Sequence, residues 1–371
     1  MPRRTATLLA STLLLIALLC AGVLIKVPYS EMSPGPTVNT LGKHDGDPVL
    51  NIKDEPGHKG EPKQYGASGH LNMTTVRVTG SEYRMNLVEA VSGWLRHDGV
   101  VVPHSTLYPD NKSAQQVDQE NAEEFSASQE SAKVAALKEL RTPVSSHVLV
   151  SSVLKGGPSE KRLHAGDVIT AVDGKPVGKP ESVAEVVTQH KPGQKTTFTV
   201  VPAAKVAASQ KKGEKPSPKD AKKVTLATEK AKDDGRAVVG IQPGIGHSFP
   251  FEIDIKLADI GGPSAGLMFA LGIVDKLTPG NLTGGKFVAG TGTIDDKGKV
   301  GEIGGIQMKT VAARAKGAKF FLTPAGNCPS AAKDKPDGLT LVKTSSIHNA
   351  LDSLKKIRSG KTGQLTQCKP G

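Results

Sequence analysis

The feature of this 371-residue sequence that most constrains its fold is an apolar run without a charged side chain, residues 6–25. Twenty residues in an α-helix, at ~1.5 Å per residue, cover the ~30 Å hydrocarbon core of a lipid bilayer. The sequence therefore predicts a transmembrane helix, with the bilayer as the partner of residues 6–25.

The charges around this run predict its orientation. Arg3 and Arg4 precede the run, and no long basic cluster follows it directly. By the positive-inside rule, the N-terminus is cytoplasmic and the chain after Lys26 lies outside, as in a single-pass cell-membrane protein. A cleaved signal peptide is the alternative, but the run is longer than a usual signal core and no clean A-x-A site follows.

Composition narrows the possible partners. The aromatic content is only 4%, so the core must rest on Val, Leu, Ile and Ala. The net charge of +12 comes largely from lysines in 204–232 and from the last 20 residues. Neither stretch interleaves aromatic with basic residues, so we expect no nucleic-acid partner. Solvated basic segments are expected, and attraction to anionic lipid or wall polymers is the alternative.

The three cysteines differ in their setting. Cys20 lies within the apolar run, whereas Cys328 and Cys368 would lie in an oxidising compartment, where two thiols tend to pair. We predict a disulfide between them that ties the C-terminal tail to the last domain, with two unpaired thiols as the alternative. No C-x-x-C or H-E-x-x-H pattern occurs, so we expect no metal and no cofactor.

Between the apolar run and residue 142, periodicity predicts a small α/β region. Leu71–Val78 has the pattern of a strand and Asn86–Leu95 that of a short amphipathic helix. Residues 114–140 have the pattern of a long helix with a solvated charged face. The apolar positions on one face of the short helix are Leu87, Ala90, Val91 and Trp94.

Residues 143–203 have the order of elements of a bacterial PDZ domain. The predicted elements are a strand around Val148, a turn at Ala165–Ile169, an Asp-Gly hairpin at Val172–Gly174, a helix at Ser182–Gln189 and a strand at Thr196–Val201. This order resembles PDZ domains, which bind an extended peptide as an additional strand. A domain used only for spacing or autoinhibition is the alternative. No usual carboxylate-binding loop precedes Val148, which argues against capture of a peptide's C-terminal carboxylate.

A candidate nucleophile lies further along the chain. Ser264 follows an alternating strand at Phe251–Leu257 and precedes the apolar stretch Leu267–Lys276, which is predicted to be a buried helix. Pro263 suits a first helical position, which places Ser264 beside free N–H groups that could stabilise an oxyanion. The alternative is that Ser264 only caps the helix. The backbone expected at the oxyanion or substrate is that of Gly262, Pro263 and Ala265.

A serine hydroxyl needs a base to act as a nucleophile, and Lys309 is a better candidate for that base than the histidines of the last domain. His247 and His348, the histidines of the last domain, do not lie in a triad-like context. Lys309 lies in the first turn of a predicted helix, where the helix dipole and burial both oppose protonation. On general grounds, a lysine in a first turn is more often simply exposed.

Together the two segments resemble the proteolytic domain of Lon-type proteases. Gly262–Gly266 is similar to the nucleophile motif of that family, and Gly304-Gly305 with Lys309 is similar to its base motif, 45 residues after Ser264. The resemblance implies a serine endopeptidase with a Ser264–Lys309 dyad. It also implies that the hydroxyl of Thr291 hydrogen-bonds the lysine.

The sequence departs from the family pattern at two positions. Gly261 and Thr293 stand where many members have acidic residues, which leaves the dyad intact. Asp259, two residues upstream of Gly261, is expected to be structural. A P-loop-like run at Gly280–Phe287 has Phe287 in place of the Mg²⁺-binding Ser or Thr, so no ATP site is expected.

The order of an anchor, a PDZ domain and a Lon-like domain resembles the PDZ-containing Lon-like proteases of Gram-positive bacteria. It implies ATP-independent cleavage of extracytoplasmic proteins or peptides, and a homo-oligomer, by resemblance a hexamer. One alternative is a tail-specific processing protease, whose nucleophile motif and Ser–Lys spacing differ. The other is a non-catalytic PDZ adaptor of the envelope.

The predicted fold class is α+β. The expected boundaries are a transmembrane anchor at 1–27, an N-terminal extracytoplasmic region at 28–142, a PDZ domain at 143–203, a Lys-rich linker at 204–236, a Lon-like domain at 237–355 and a basic tail at 356–371.

Overall fold

The computed structural model describes residues 3–53, 62–66, 68–96, 99–109, 111–210, 215–257 and 260–371. The chain divides into two compact units. The first comprises Met1–Leu50, Tyr65–Glu139 and Ile255–Gly371, and the second comprises Asn51–Gln64 and Leu140–Asp254.

Helices and strands are mixed throughout the described residues. The α-helices are α1 (Arg3–Leu24), α2 (Leu87–Leu95), α3 (His104–Leu107), α4 (Ala114–Glu139), α5 (Pro180–Thr188), α6 (Ala203–Gln210), α7 (Gly266–Leu277), α8 (Ile306–Ala315), α9 (Cys328–Lys333) and α10 (Ile347–Arg358). The strands are β1 (Tyr29–Asn39), β2 (Lys43–His44), β3 (Asp47–Pro48), β4 (Leu50–Lys53), β5 (His70–Val78), β6 (Val100–Pro103), β7 (Ser145–Val153), β8 (Val168–Val172), β9 (Lys175–Pro176), β10 (Lys195–Val201), β11 (Lys222–Ala227), β12 (Glu229–Lys230), β13 (Ala237–Val238), β14 (Ile241–Ser248), β15 (Glu252–Ile255), β16 (Phe287–Gly290), β17 (Thr293–Ile294), β18 (Val300–Gly301), β19 (Phe320–Pro324) and β20 (Thr340–Thr344). The predicted α+β class is confirmed.

The N-terminal helix α1 contains the predicted apolar run. Its segment Thr7–Leu24 has a mean hydropathy of 2.5 and is almost wholly exposed. In length and composition it fits either a membrane span or a signal sequence.

The first unit is built on a six-stranded sheet with the order β20-β19-β16-β5-β1-β6. The neighbouring pairs β20–β19, β19–β16 and β16–β5 are parallel. Strand β1 runs antiparallel to both of its neighbours, β5 and β6. The apolar helix α7 is buried from Gly266 to Asp275, as expected for a helix that is apolar nearly all round. The sheet and α7 thus provide the rigid support of the region that contains Ser264.

Helix α4 packs on α7 through its apolar face. Phe125, Ala132 and Ala136 recur at the spacing of one helix face and are buried, as the sequence pattern indicates. The ring of Phe125 meets the ring of Phe269 edge-on, with centroids 5.9 Å apart. The helix ends at Glu139, four residues before Pro143.

The second unit has a sheet with the order β11-β10-β8-β7-β14, with β9 paired to β8. The Asp-Gly hairpin forms at Asp173 and Gly174, whose positive φ angles of 49° and 75° suit a two-residue turn. Helix α5 contributes Val183 and Val187 to the core of this sheet, where they join the buried ring of Phe198.

The structure differs from the expected boundaries after residue 203. Residues 222–227, expected in a Lys-rich linker, form β11 and pair with β10. Val224 and Leu226 are buried, whereas the neighbouring lysines face solvent, so a half-buried edge strand explains the basic composition. Residues 241–248, expected in the Lon-like domain, form β14 and pair with β7. Residues 211–214 of the expected linker lie outside the described part of the chain.

Candidate active site

Ser264 lies in a tight turn immediately before α7. The helix begins at Gly266, so Pro263 precedes the helix instead of opening it. Gly262, with a φ of +82°, supplies the left-handed conformation that turns the chain before Pro263. The carbonyl oxygen of Ser264 accepts hydrogen bonds from Gly292 N at 2.9 Å and from Thr291 Oγ1 at 3.0 Å. The turn is therefore fixed by the segment that follows β16.

Lys309 is the fourth residue of α8, whose start is set by Gly305 in the left-handed region at a φ of +68°. Its Nζ donates to Ser264 Oγ at 2.7 Å and to Thr291 Oγ1 at 3.1 Å. The lysine side chain is only 3% exposed. The structure thus brings together the three side chains that the sequence analysis assigned to catalysis and its support.

Burial controls the charge of this lysine. Desolvation lowers the pKa of Lys309 from 10.5 to about 8, because burial away from water disfavours the charged ammonium form. With a pKa near 8, about one lysine in ten is neutral at pH 7. That fraction can accept a proton from a neighbouring hydroxyl.

Thr291 joins the two reactive side chains. It is fully buried, and its hydroxyl accepts from the Lys309 amine while donating to the Ser264 carbonyl. Its own N–H donates to Leu322 O at 3.3 Å, which holds it at the end of β16 beside β19. Thr291 can therefore orient the amine toward the serine.

The candidate oxyanion donors differ from the expected set. The N–H of Gly262 donates to Asn121 O at 3.1 Å, so it is already engaged. Pro263 has no N–H, and its carbonyl accepts from Ser128 Oγ at 2.9 Å. Among the described residues, no backbone acceptor is assigned to the N–H of Ser264 or Ala265. These two groups are the donors that remain for an oxyanion.

Ser264 and Lys309 open onto a cleft of about 600 Å³. The cleft is lined by Met32, Pro36, Met73, Thr75, Val76, Arg77, Asn121, Ile260, Gly261, Gly262, Pro263, Ser264, Ala265, Gly304 and Lys309. The contributions of β1, β5 and α4 were not predicted, since these elements come from far earlier in the chain than the two motifs. The polar positions Asn121 and Ser128 on the inner face of α4 were the available signal.

The three cysteines are not among the residues that line the cleft. Cys328 and Cys368 are joined as a disulfide, with their Cα atoms 4.9 Å apart. Cys20 is a free, exposed thiol. The described residues contain no group of three or more His, Cys, Asp or Glu side chains that could hold a metal ion. Asp259 lies outside the described residues.

Comparisons with known proteins assign two parts of the chain. Residues 258–354 match the family model of the Lon protease (S16) C-terminal proteolytic domain, and residues 123–206 match a PDZ domain model. The first match contains the turn of Ser264, Thr291 and the helix of Lys309.

The similar solved structures include PDZ domains. The PDZ domain of an SdrC-like protein from Listeria monocytogenes is 22% identical over 26% of this chain and 86% of its own, with a TM-score of 0.21. The corresponding domain from Listeria innocua is 22% identical over 28% and 98%, with a TM-score of 0.21. A protein from Geobacillus thermodenitrificans is 24% identical over 23% and 82%, with a TM-score of 0.18.

The proteolytic-domain match indicates a serine protease, and both matched domains indicate protein or peptide substrates. The chain thus combines a PDZ domain with a Lon-type proteolytic domain, as in the PDZ-containing Lon-like proteases.

Proposed function

We propose that this protein is a membrane-anchored serine endopeptidase that cleaves extracytoplasmic proteins with a Ser264–Lys309 dyad and without ATP. The observation that carries the proposal is the 2.7 Å approach of Lys309 Nζ to Ser264 Oγ, made by a lysine residue that is only 3% exposed. A shielded amine next to a serine hydroxyl is the arrangement that Ser–Lys catalysis requires.

The first half of the reaction forms an acyl-enzyme. Neutral Lys309 removes the proton from the Ser264 hydroxyl, and Oγ attacks the carbonyl carbon of the scissile bond. The N–H groups of Ser264 and Ala265 donate to the resulting oxyanion. The Lys309 ammonium then gives its proton to the leaving amine, the C–N bond breaks, and an ester to Ser264 remains.

The second half releases the acyl product. Lys309, neutral again, removes a proton from a water molecule, whose oxygen attacks the ester carbonyl. As the tetrahedral intermediate collapses, Lys309 returns the proton to Ser264 Oγ. Throughout the cycle, Thr291 accepts from the lysine amine and limits its rotation.

ATP independence is supported by the environment of the P-loop-like run. In the structure this run follows α7 and leads into β16, the reverse of the strand–loop–helix order of a nucleotide-binding loop. Phe287, at the position of the Mg²⁺-binding hydroxyl, begins β16 and stacks on the ring of His70, with centroids 4.6 Å apart. This run therefore has a structural explanation without nucleotide.

The proposed topology follows from α1 and its flanking charges. Residues 6–25 span the membrane, Arg3 and Arg4 remain cytoplasmic, and the catalytic residues lie outside. The PDZ domain binds a substrate segment or regulates access, and we extend the proposal to a homo-oligomer, by family resemblance a hexamer.

The test is cleavage of an unfolded protein by the full chain in membranes, without nucleotide. The wild type should cleave it, and Ser264→Ala and Lys309→Ala should each lose at least about a thousandfold in kcat/KM. Any self-cleavage should disappear in Ser264→Ala as well. Full activity of either variant would reject the dyad, and a strict requirement for ATP would reject only the ATP-independence.

A further inference from the structure

Helix α2 exposes a continuous apolar stripe. At about 100° per residue, five of its residues fall within an arc of about 120°. Their exposed fractions are 40% for Leu87, 37% for Val88, 47% for Val91, 78% for Trp94 and 68% for Leu95. The sequence pattern predicted one apolar face here, and the structure turns most of that face outward.

The stripe belongs to an ordered helix. Asn86 and Glu89 form a reciprocal capping box, with side chain to backbone distances of 2.9 Å and 2.8 Å. The opposite face, at Ala90 and Gly93, is buried. A Cβ atom added at Gly93 would lie 2.9 Å from Val101 Cγ2, so α2 is seated closely on β6. The exposed stripe is therefore a fixed surface of the first unit.

This surface begins where the apolar helix α1 ends. Leu87 N donates to Ile25 O at 3.0 Å, and Val27 N donates to Met85 O at 2.9 Å. A Cβ atom added at Gly22 would lie 2.9 Å from Val88 Cγ2, so the last turn of α1 touches the first turn of α2. If α1 spans the bilayer, the start of α2 is held at the outer membrane–water boundary.

We propose that α2 is an interfacial helix whose stripe inserts between the headgroups and upper acyl chains of the outer leaflet. The inference rests on the proposed membrane anchor. Tryptophan is the side chain that most favours this depth, and Trp94 is the most exposed residue of the stripe. The exposed basic residues Lys26, Arg84 and Arg96 flank the helix and suit contact with lipid phosphates.

The anchor explains how so short a helix can bind lipid. Nine residues bury too little apolar area for strong membrane binding in isolation. Covalent attachment to α1 makes insertion an intramolecular step at a high effective concentration. Two attachments to the bilayer then define the rotation of the first unit about its anchor.

The experiment uses Trp94 as an internal reporter, since it is the single tryptophan of the 371 residues. The full chain is reconstituted into vesicles of phosphatidylcholine and phosphatidylglycerol, with or without lipid brominated high on the acyl chain. Tryptophan fluorescence should fall about twofold in the brominated vesicles and resist aqueous acrylamide. Extraction with alkaline carbonate on the same sample reports on α1.

Variants on the stripe provide the matched comparison. Val91→Glu with Leu95→Glu keeps good helix formers but adds charge, and should restore acrylamide quenching and abolish most quenching by brominated lipid. Val91→Leu with Leu95→Met keeps the stripe apolar and should behave as the wild type. Both pairs alter exposed positions, so the fold should persist.

The possible results distinguish a failure of the interfacial helix α2 from a failure of the membrane anchor α1. A protein that resists carbonate but shows no quenching by brominated lipid overturns the interfacial helix and leaves the anchor in place. Trp94 shielded from both quenchers also overturns it, in favour of a second copy or another protein on the stripe. Release by carbonate overturns the anchor and, with it, this inference.

Discussion

To act as the base, the amine of Lys309 has to be buried and also within hydrogen-bond distance of the Ser264 hydroxyl. Its 3% exposure lowers the pKa to about 8, and the hydroxyls of Ser264 and Thr291 accept its N–H groups. The sequence alone predicted the first-turn position and the pairing with Ser264. It could not predict how deeply the amine is buried, because burial depends on elements distant in sequence.

The pH dependence of cleavage should follow the deprotonation of this amine. Because the base is active when neutral, kcat/KM should rise about tenfold per pH unit below pH 8 and level off above it. The profile is to be measured with a peptide substrate that does not titrate in this range. A profile that falls between pH 7 and pH 9 would contradict a neutral lysine base.

Variants of Thr291 test whether its hydroxyl positions the amine of Lys309. Thr291→Val keeps the shape but removes the hydroxyl that bonds Lys309 Nζ and Ser264 O, and should lower kcat about 10- to 100-fold with little change in KM. Thr291→Ser keeps the hydroxyl and should recover most of kcat. Equal loss in both variants would point to a packing role instead.

At the scale of single elements, the sequence was informative wherever a periodic pattern was long. The predicted helix at 114–140 is α4 (Ala114–Glu139), and the helix predicted at Asn86–Leu95 is α2 (Leu87–Leu95). The start of α7 was less predictable. Pro263 suits a first helical position, but the bonds to the Ser264 carbonyl hold residues 264–265 in a turn, so the helix begins at Gly266.

Gly305 tests how the start of α8 is maintained. Its φ is +68°, and an added Cβ would lie 2.8 Å from Val76 Cγ2. Gly305→Ala should therefore cost about 2 kcal/mol of stability. The neighbouring Gly304→Ala meets nothing within 4 Å and should change stability by about 0.5 kcal/mol or less. Urea unfolding of both variants would show this difference, and equal midpoints would contradict it.

At the scale of the whole molecule, the cleft is assembled from segments that are distant in sequence. The Lon-type motifs indicated the serine, the lysine and the threonine, but the walls come also from β1, β5 and α4. Nothing local in residues 29–39 or 70–78 marks them as cleft walls, since their side chains acquire that role only through sheet pairing. For the same reason, β11 and β14 could not be assigned to their sheet from the sequence, because it does not reveal which strands they pair with.

The C-terminal tail should contribute to global stability through its disulfide. Cys368 N donates to Leu341 O at 3.0 Å, so the tail lies along β20, and the disulfide to Cys328 closes a separation of 40 residues. Cys328→Ser with Cys368→Ser should lower the free energy of unfolding by about 2–4 kcal/mol. In thermal melts, reductant should lower the Tm of the wild type but not of this variant.

Cys20→Ser is the matched control for that experiment, since Cys20 is a free thiol. Its melting should respond to reductant as the wild type does. If reductant leaves the Tm of the wild type unchanged, the tail is not stabilised by a disulfide.

The central claim, that the Lys309 amine is the base for Ser264, is tested most directly by Lys309→Arg. Arginine keeps the positive charge but cannot deprotonate at any pH used for assay. The measurement is kcat/KM for an unfolded protein at pH 8 and pH 9, with the full chain in membranes and Ser264→Ala as the reference. We predict that Lys309→Arg falls to the level of Ser264→Ala at both pH values. Cleavage within about tenfold of the wild type would contradict the account.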